Sequence, residues 1–152
     1  MILETPRLIL RPFAADDLDR MAELMANKDF MRFSMGPMTQ EQTESFLHKV
    51  ISWDRDRMPS QFAMIVRSSE TLAGYCGFFH HEVDSKMEIE IGYRLDSGCW
   101  NRGLAGEAAR TVRDHGSRPK TRLRHLFDSS RKSPIAPSGG KKWNDSGKGD
   151  DL

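Results

Sequence analysis

Cysteine and long apolar runs are the features that this sequence most clearly lacks. Only two cysteines occur among 152 residues, Cys76 and Cys99, with no paired spacing and no His/Cys cluster. This predicts reduced thiols in the cytoplasm and excludes a disulfide framework. No apolar run approaches the roughly 20 residues that a membrane-spanning helix needs. Glu4 and Arg7 interrupt the short apolar N-terminal run and no small-residue cleavage site follows, so we expect neither a signal peptide nor a membrane partner.

A strong net charge is also missing, because the formal total is only +1. The balance is nevertheless uneven: residues 117–152 hold nine Lys or Arg against four Asp, which leaves 14 basic and 18 acidic residues in 1–116. The basic tail is rich in Ser and Gly and poor in core-forming side chains. Such a segment buries too little apolar surface to offset its ordering entropy. We therefore expect a folded domain over 1–116 and a disordered tail over 117–152.

Two common phosphate-binding patterns are absent as well. The chain has neither a G-x-G-x-x-G fingerprint nor a glycine-rich loop that ends in Gly-Lys-Ser/Thr. The adjacent histidines His80 and His81 would point to opposite faces of a strand. Because no third ligand is spaced nearby, we expect no metal site.

The hydrophobic periodicity predicts a single α+β domain with the element order β-α-α-β-β-β-α. Thr39 followed by Gln42 is a capping box that predicts the start of the second helix. The polar segment His-His-Glu-Val-Asp-Ser, residues 80–85, is interpreted as a turn. The expected strands cover 7–13, 61–67, 72–79 and Lys86–Leu95, and the expected helices lie within 14–29, within 38–57 and from Leu104 onward.

The most informative stretch begins at the fourth of these strands. Alternation places one set of side chains on one face (Met87, Ile89, Ile91, Tyr93, Leu95) and another on the opposite face (Glu88, Glu90, Arg94). A glycine-bearing turn and a helix start follow. Unpaired amides at a helix start and the positive end of its dipole bind anions. The residues that would supply these amides run from Arg102 to Gly106. The alternative, that the glycines only shape the turn, stays open from spacing alone.

At these residues the chain resembles the acetyl-CoA-binding segment of the GNAT superfamily of N-acetyltransferases, in particular the branch of ribosomal-protein N-terminal (Rim-type) acetyltransferases. That branch shows E-I-G-Y-x-[LI], a turn, and then W-G-[RK]-G-[YL]-[AG]-[TS]-E-A. The chain departs from this pattern at Asn101 and Gly106. The matching residues are Glu90 to Tyr93, Leu95, Trp100, Arg102 to Ala105, Glu107 and Ala108.

The resemblance implies a GNAT fold, a mostly antiparallel sheet flanked by helices, and an acetyl-CoA-dependent transfer to a primary amine, a protein N-terminus or a small molecule. It implies Glu90 as the catalytic base, with Glu88 as the backup, and a backbone N–H near a strand bulge for the oxyanion. A solvated strand carboxylate remains the alternative for Glu90. The residues implied in cofactor binding are Tyr93, Arg94, Leu95, Arg102, Gly103, Leu104, Ala105 and Gly106.

The resemblance stops near Gly116, where the family continues with a strand, an Asn-x-x-Ser loop and an E-K-x-G helix. Reading the codons of residues 131–145 from their second base permits G-N-R-Q-S-R-R-V-A-E-K-N-G-M, which contains both missing motifs. The glycine of the last motif is forced by Trp143 followed by Asn144. We infer a one-base frameshift near Gly116, so that an aberrant tail replaces the C-terminal strands and the domain is incomplete.

A second class of function fits the composition less well. A non-catalytic protein could bind acyl-CoA, or use its basic tail to bind nucleic acid. The tail lacks interleaved aromatic residues beyond Phe127 and Trp143 and lacks helical charge periodicity, which makes nucleic acid an unfavoured partner. The favoured partners are acetyl-CoA and an amine acceptor, and the protein is expected to be a monomer or a homodimer, weak or inactive in this form.

Overall fold

A computed structural model describes residues 1–34, 36–117, 141–143 and 149–151. The strands are β1 (Leu3–Glu4), β2 (Leu8–Pro12), β3 (Gln61–Val66), β4 (Thr71–Val83), β5 (Lys86–Leu95), β6 (Lys141–Trp143) and β7 (Gly149–Asp151). The helices are α1 (Leu18–Met25), α2 (Gln40–Arg55) and α3 (Leu104–Ser117), with 3-10 turns at Ala15–Asp17 and Ser97–Cys99. The predicted order is confirmed, with β1 as an additional short strand.

Five strands form one antiparallel sheet in the order β1-β2-β3-β4-β5. The prediction of a turn over residues 80–85 is wrong, because β4 continues to Val83 and pairs with β5 as far as Lys86. The turn is confined to Asp84 and Ser85, whose φ angles are 51° and 64°. Two consecutive residues with positive φ match the twist of a tight hairpin. The hairpin therefore pairs β5 with β4 from Gly74 to Val83.

Local side-chain bonds determine where the first two helices begin. The predicted capping box is present: Thr39 Oγ1 accepts from the Gln42 N–H at 3.2 Å, and Gln42 Oε1 accepts from the Thr39 N–H at 2.9 Å. The first helix lies within the expected range 14–29: a 3-10 turn at Ala15–Asp17 comes first, and α1 begins at Leu18. Asp17 is bound by the Arg11 guanidinium at 2.8 and 2.9 Å and by the Ala14 N–H at 2.9 Å.

The helices cover opposite faces of the sheet. On the α3 face, the alanine-rich side of α3 packs against residues such as Leu8, Phe78 and Ile91. On the α1–α2 face, the two N-terminal helices enclose a core rich in methionine and aromatic residues, among them Phe13 and Tyr75. The alternation predicted for β5 is confirmed: Ile89, Ile91, Tyr93 and Leu95 are buried in the α3-face core.

Most of the segment beyond Ser117 lies outside the described residues. The expectation that residues 117–152 are disordered therefore falls mostly outside them as well. Within the segment, Lys141–Trp143 and Gly149–Asp151 pair as two antiparallel strands. The domain boundary at Gly116 and the frameshift stay predictions. Among the helices in the described ranges, none combines the length and apolar character needed to cross a membrane.

Candidate functional site

The connection from β5 to α3 is a compact turn with two left-handed residues. Asn101 and Gly103 have φ angles of 63° and 77°. Glycine adopts this conformation without strain and asparagine tolerates it better than most residues, whereas a β-branched residue would be strained there. The indole N–H of Trp100 donates to the Leu95 carbonyl at 2.8 Å, which joins the turn to the end of β5. Helix α3 therefore begins directly beside the C-terminal end of β5.

The start of α3 presents amides of the kind that bind anions. Its first intrahelical bond runs from the Glu107 N–H to the Gly103 carbonyl at 3.1 Å. The N–H groups of Leu104, Ala105 and Gly106 precede that bond and have no partner within the helix. Their residues are buried, so the first turn is held in place by packing. Arg102, by contrast, is exposed. The structure thus brings the predicted segment together as one cradle with a charged side chain beside it.

A carboxylate network anchors this helix start to the beginning of β2. Glu107 accepts from Arg7 Nε at 2.9 Å, from the Arg7 N–H at 3.1 Å, and in a very short bond from the Thr5 hydroxyl. Arg7 Nη1 also donates to the Arg102 carbonyl at 2.8 Å. Burial raises the pKa of Glu107, but these hydrogen bonds and the charge of Arg7 outweigh burial and lower it. The role of Arg7 was missed in the sequence, where it matches only a strand pattern.

On β5, the predicted cofactor-binding residues fall on different sides of the sheet. The side chains of Tyr93 and Leu95 are buried in the α3-face core, so a ligand at this strand would meet their backbone only. In the described part of the chain, β5 is the outermost strand of the sheet, and β4 is its only strand partner there. The β4–β5 register runs without a break from Gly74 to Val83. The β4–β5 pair therefore contains no bulge, and the backbone N–H expected to stabilise the oxyanion stays a prediction.

Arg94 lies on the α1–α2 face and is 7% exposed. Its Nε donates to the Tyr75 hydroxyl at 2.9 Å, and its Nη1 donates to the Phe30 carbonyl at 3.4 Å. Burial raises the pKa of Tyr75, while the charge and hydrogen bond of Arg94 act in the opposite direction. The Arg94 side chain thus has a structural role on the α1–α2 face: it joins β5 to β4 and to the segment after α1.

The two candidate bases share that face. Glu90 stands opposite Phe79 and Glu88 stands opposite His81 in the β4–β5 register, and both glutamates are partly buried. Phe79 in turn contacts the Tyr75 ring at a centroid distance of 6.3 Å. The sheet therefore separates both carboxylates from the α3 side chains. Glu90 lies next to the aromatic side chain of Phe79 on the face that α1 and α2 cover.

Gln61 is a polar residue of this face that the sequence did not single out. It is 2% exposed, and neither its Oε1 nor its Nε2 has a hydrogen-bond partner among the described residues. It pairs with Gly77, which in turn pairs with Gly92, so the three form a row across the sheet. A Cβ on Gly77 would come within 2.5 Å of the Ser60 carbonyl oxygen. The close approach of β3 to β4 therefore requires glycine at 77.

The two cysteines are poorly suited to act as nucleophiles, and the described residues offer no metal-binding group. Both cysteines are free; Cys76 is buried, and burial raises the pKa of its thiol. Cys99 is half-buried, and burial raises its pKa as well. Among the described residues, no three His, Cys, Asp or Glu side chains are placed to hold a metal ion.

Comparisons with known proteins identify a family for this chain. A family model described as "Acetyltransferase (GNAT) domain" matches residues 7–130. An uncharacterised N-acetyltransferase, p20 of Bacillus licheniformis, is 26% identical over 117 residues, which cover 75% of this chain and 65% of that relative. The chain thus spans slightly less than two thirds of the length of the curated relative.

Two solved structures are similar in fold. A GNAT-family acetyltransferase from Bacillus anthracis matches with a TM-score of 0.63 and 26% identity, covering 77% of this chain and 66% of that one. The ribosomal L7/L12 α-N-protein acetyltransferase RimL, in complex with coenzyme A, matches with a TM-score of 0.66 and 20% identity, covering 80% and 70%. At 20% identity, the second likeness shows the fold alone.

Proposed function

The chain belongs to the GNAT acetyltransferase family, and we propose that it is an acetyl-CoA-dependent N-acetyltransferase that acts on a primary amine. The observation that carries this proposal is the start of α3. Gly103 with its φ of 77° turns the chain into a helix that begins beside the end of β5, so that its first amides lack partners within the helix. A pyrophosphate needs this combination of a helix dipole and free N–H groups.

The two parts of the donor would be held by different backbone segments. The N–H groups of Leu104, Ala105 and Gly106 would receive the pyrophosphate, and Arg102 would add a charge-assisted contact. The pantetheine arm would run along β5 near Tyr93–Leu95, where only the backbone is accessible from the strand edge. The thioester that this arm carries supplies the acetyl group. The Glu107–Arg7 bonds support this arrangement, since they hold the helix start against β2.

The transfer itself requires a neutral amine. The amine nitrogen forms a bond to the acetyl carbon while the carbon–sulfur bond breaks and the thiolate leaves. The proton lost by the amine passes to a base, for which we propose Glu90, directly or through water. Glu88, two residues along the same face, is the second candidate. Its more terminal position on β5 places it farther from the helix start than Glu90.

The acceptor would approach from the α1–α2 face, where both glutamates and the aromatic residues around Tyr75 lie. RimL, which shares the fold, is an α-N-protein acetyltransferase. A protein N-terminus is therefore the first acceptor to test, and a small-molecule amine is the second.

Calorimetric titration with acetyl-CoA tests the donor site. Gly103→Pro cannot adopt the φ of 77° that sets the amides of Leu104–Gly106 in place, so it should weaken binding at least tenfold, about 1.4 kcal/mol. Gly103→Ala keeps the N–H and serves as the matched control, with a smaller loss from strain alone. Thermal melts of both variants verify that the core stays folded. If Gly103→Pro binds acetyl-CoA as tightly as the unchanged chain, the amides of Leu104–Gly106 do not bind the pyrophosphate.

The base is tested by paired isosteric substitutions. Glu90→Gln should lower turnover by about 10² or more while leaving acetyl-CoA affinity nearly intact, because an amide cannot accept the proton. Glu88→Gln is the matched control on the same face and should have little effect. The reverse result would assign the base to Glu88. Acetyl-CoA binding without turnover by any amine would favour the non-catalytic alternative.

We also propose that the reading frame changes near Gly116 and that the shift limits activity. The family match reaches residue 130, only 14 residues past Gly116, and the codons of the tail permit the missing family motifs. Restoring the other frame should raise both solubility and thiol release from acetyl-CoA. The two forms are to be expressed side by side and compared by limited proteolysis. Equal activity, with residues 117–152 as protease-resistant as the core, would refute the frameshift.

A further inference from the structure

Gln61, the first residue of β3, is a polar side chain buried without a bonding partner. It is 2% exposed, and neither polar atom of its carboxamide has a hydrogen-bond partner among the described residues. The neighbouring Ser60 is already bonded: its hydroxyl donates to the Val50 carbonyl at 2.8 Å, and its carbonyl accepts from the Phe78 N–H at 3.0 Å. A buried amide without partners costs stability, and proteins keep such groups chiefly where a function needs them.

Alternation along β3 directs this side chain to the α1–α2 face of the sheet. Phe62 packs against the α3-face core, and its ring meets that of His115 at a centroid distance of 6.2 Å. Ala63 lies in the core of the opposite face. Gln61 is two residues from Ala63 and therefore shares its face. Glu90, the base that we propose, lies on this face as well.

A row without side chains crosses the sheet beside Gln61. The strand partner of Gln61 is Gly77, and the partner of Gly77 on β5 is Gly92. Neither β4 nor β5 therefore carries a side chain in this row. The carboxamide of Gln61 stands at one end of the row, and β5 forms the other end.

The rows on either side of these glycines differ in exposure. Toward the middle of the sheet, Arg94 Nε and the Tyr75 hydroxyl are joined at 2.9 Å, and both residues are buried. Toward the β4–β5 hairpin, Phe79 and Glu90 are only partly buried. The pairing of β3 with β4 begins at Gln61, so in the described part of the chain β4 and β5 alone continue the sheet there. A ligand that enters from the hairpin side meets Glu90 first and Gln61 last.

The distance between Gln61 and Glu90 suits the first residue of a peptide. Their Cα atoms are two strand spacings and one row apart, about 12 Å. Their side chains stand roughly perpendicular to the sheet, so the polar ends lie at a similar separation. Two hydrogen bonds of about 2.9 Å, with one residue from the amine to the next N–H between them, span roughly 9 Å. An amine beside Glu90 thus places the second residue of its peptide near Gln61.

We propose that the acceptor is the N-terminus of a peptide and that Gln61 is the residue that selects it. Gln61 Oε1 would accept from the N–H of the second peptide residue, and Nε2 would donate to the carbonyl of that same residue; in an extended peptide these two groups point to one side. The assignment rests on the proposed function, since it needs the amine at Glu90. Phe79 would admit the peptide by a change of rotamer, a common adjustment on binding.

The test compares two acceptors by calorimetry on the 152-residue chain with coenzyme A present. One is trialanine amide with a free N-terminus, and the other carries an ester oxygen in place of the N–H of its second residue. The chain should bind the tripeptide about tenfold more tightly, because the ester leaves Oε1 unpaired in a buried site. Gln61→Met should bring this ratio toward one. Gln40→Met, at an exposed position of α2, is the matched control and should keep the ratio.

The outcomes separate a selective role of Gln61 from a structural one. Equal affinity for tripeptide and ester, or a ratio that Gln61→Met does not alter, overturns the assignment while the proposed acetyl transfer stands; the carboxamide would then be bonded by buried water only. A loss in Gln61→Met that is the same for both acceptors indicates a structural role and overturns it too. Propylamine, which has no peptide group, should bind equally to the chain and to Gln61→Met. If neither the tripeptide nor propylamine binds, the proposed function fails together with this assignment.

Discussion

The two faces of the sheet are built from different chemistry. The α3 face is a mainly aliphatic core in which Ala105, Ala108 and Ala109 let the helix approach the strands closely. The α1–α2 face combines methionine and aromatic side chains with buried polar groups. Thr5 is a buried polar residue that bonds to Glu107 on α3; other buried polar residues in the described part of the chain are Asp17, Thr43, Ser60, Gln61 and Arg94.

The difference suits the two faces to different tasks, with packing that positions α3 on one face and buried polar groups on the other. A close-packed aliphatic face positions a helix start to within a few tenths of an ångström, as an amide cradle requires. The opposite face contains the polar groups near which we propose that the acceptor binds, and each of them costs desolvation energy unless it is bonded. Stability should therefore respond most strongly to changes on the α3 face, and subtle polar changes should matter most on the other.

Phe78 and Phe79 allow the sharpest comparison, because they are neighbours on β4 and point to opposite faces. Phe78 is 1% exposed in the α3-face core, whereas Phe79 is only partly buried. Phe78→Ala should lower the free energy of unfolding by about 3–5 kcal/mol, from lost transfer energy and the cavity left behind. Phe79→Ala should cost roughly half as much. Urea denaturation measures both, and equal losses would remove the distinction between the faces.

Tyr75→Phe probes the buried polar pair on the α1–α2 face. The substitution removes the hydroxyl that accepts from Arg94 Nε at 2.9 Å. Because a hydrogen bond to a buried charged group is lost, stability should fall by about 1–3 kcal/mol. A double-mutant cycle with Arg94→Met isolates the pair. Additive losses would mean that the hydroxyl and the guanidinium do not interact, and that this face tolerates polar groups for some other reason.

Glu107→Gln tests the hydrogen bonds that join the start of α3 to Thr5 and Arg7, by the pH dependence of the free energy of unfolding. The pKa of Glu107 is lowered in the folded state. Its contribution is therefore fully present above the ordinary glutamate pKa of about 4.3 and is lost as the pH falls through the lower folded value. The variant should lose about 1–2 kcal/mol at neutral pH and less near pH 3. Glu44→Gln, at an exposed site on α2, is the control and should show neither effect.

The sequence predicts the framework well because its determinants are local. The Thr39–Gln42 capping box and the alternation of β5 depend only on neighbouring residues, and both are confirmed. The segment 80–85 was misread as a turn because its polar composition outweighs a strand that is imposed by pairing with β5. Tertiary pairing overrides local propensity at such positions.

The parts of the candidate site that were missed depend on distant contacts. Arg7 and Glu107 are 100 residues apart in the chain and meet only when α3 lies over β2. The burial of Arg94 follows from the position of Phe30 after α1, 64 residues away. Alternation alone assigned Arg94 to a face, and gave no sign that the face is enclosed by two helices. No local spacing encodes any of these pairs.

The smallest effect expected is a gain in stability from Gln61→Met. The Gln61 carboxamide is 2% exposed and has no hydrogen-bond partner among the described residues. An unsatisfied buried polar group costs desolvation energy without return, whereas methionine has a similar length and adapts to its surroundings. The free energy of unfolding should rise by about 1 kcal/mol.

The matched control is Gln42→Met: its amide oxygen accepts from the Thr39 N–H at 2.9 Å, so the same change should lower stability by about 0.5–1 kcal/mol. Opposite signs in the two variants would show that burial without a partner, and not glutamine itself, is the unfavourable feature. A loss at position 61 as well would mean that its carboxamide is bonded in solution, and the α1–α2 face would then contain one more satisfied polar group.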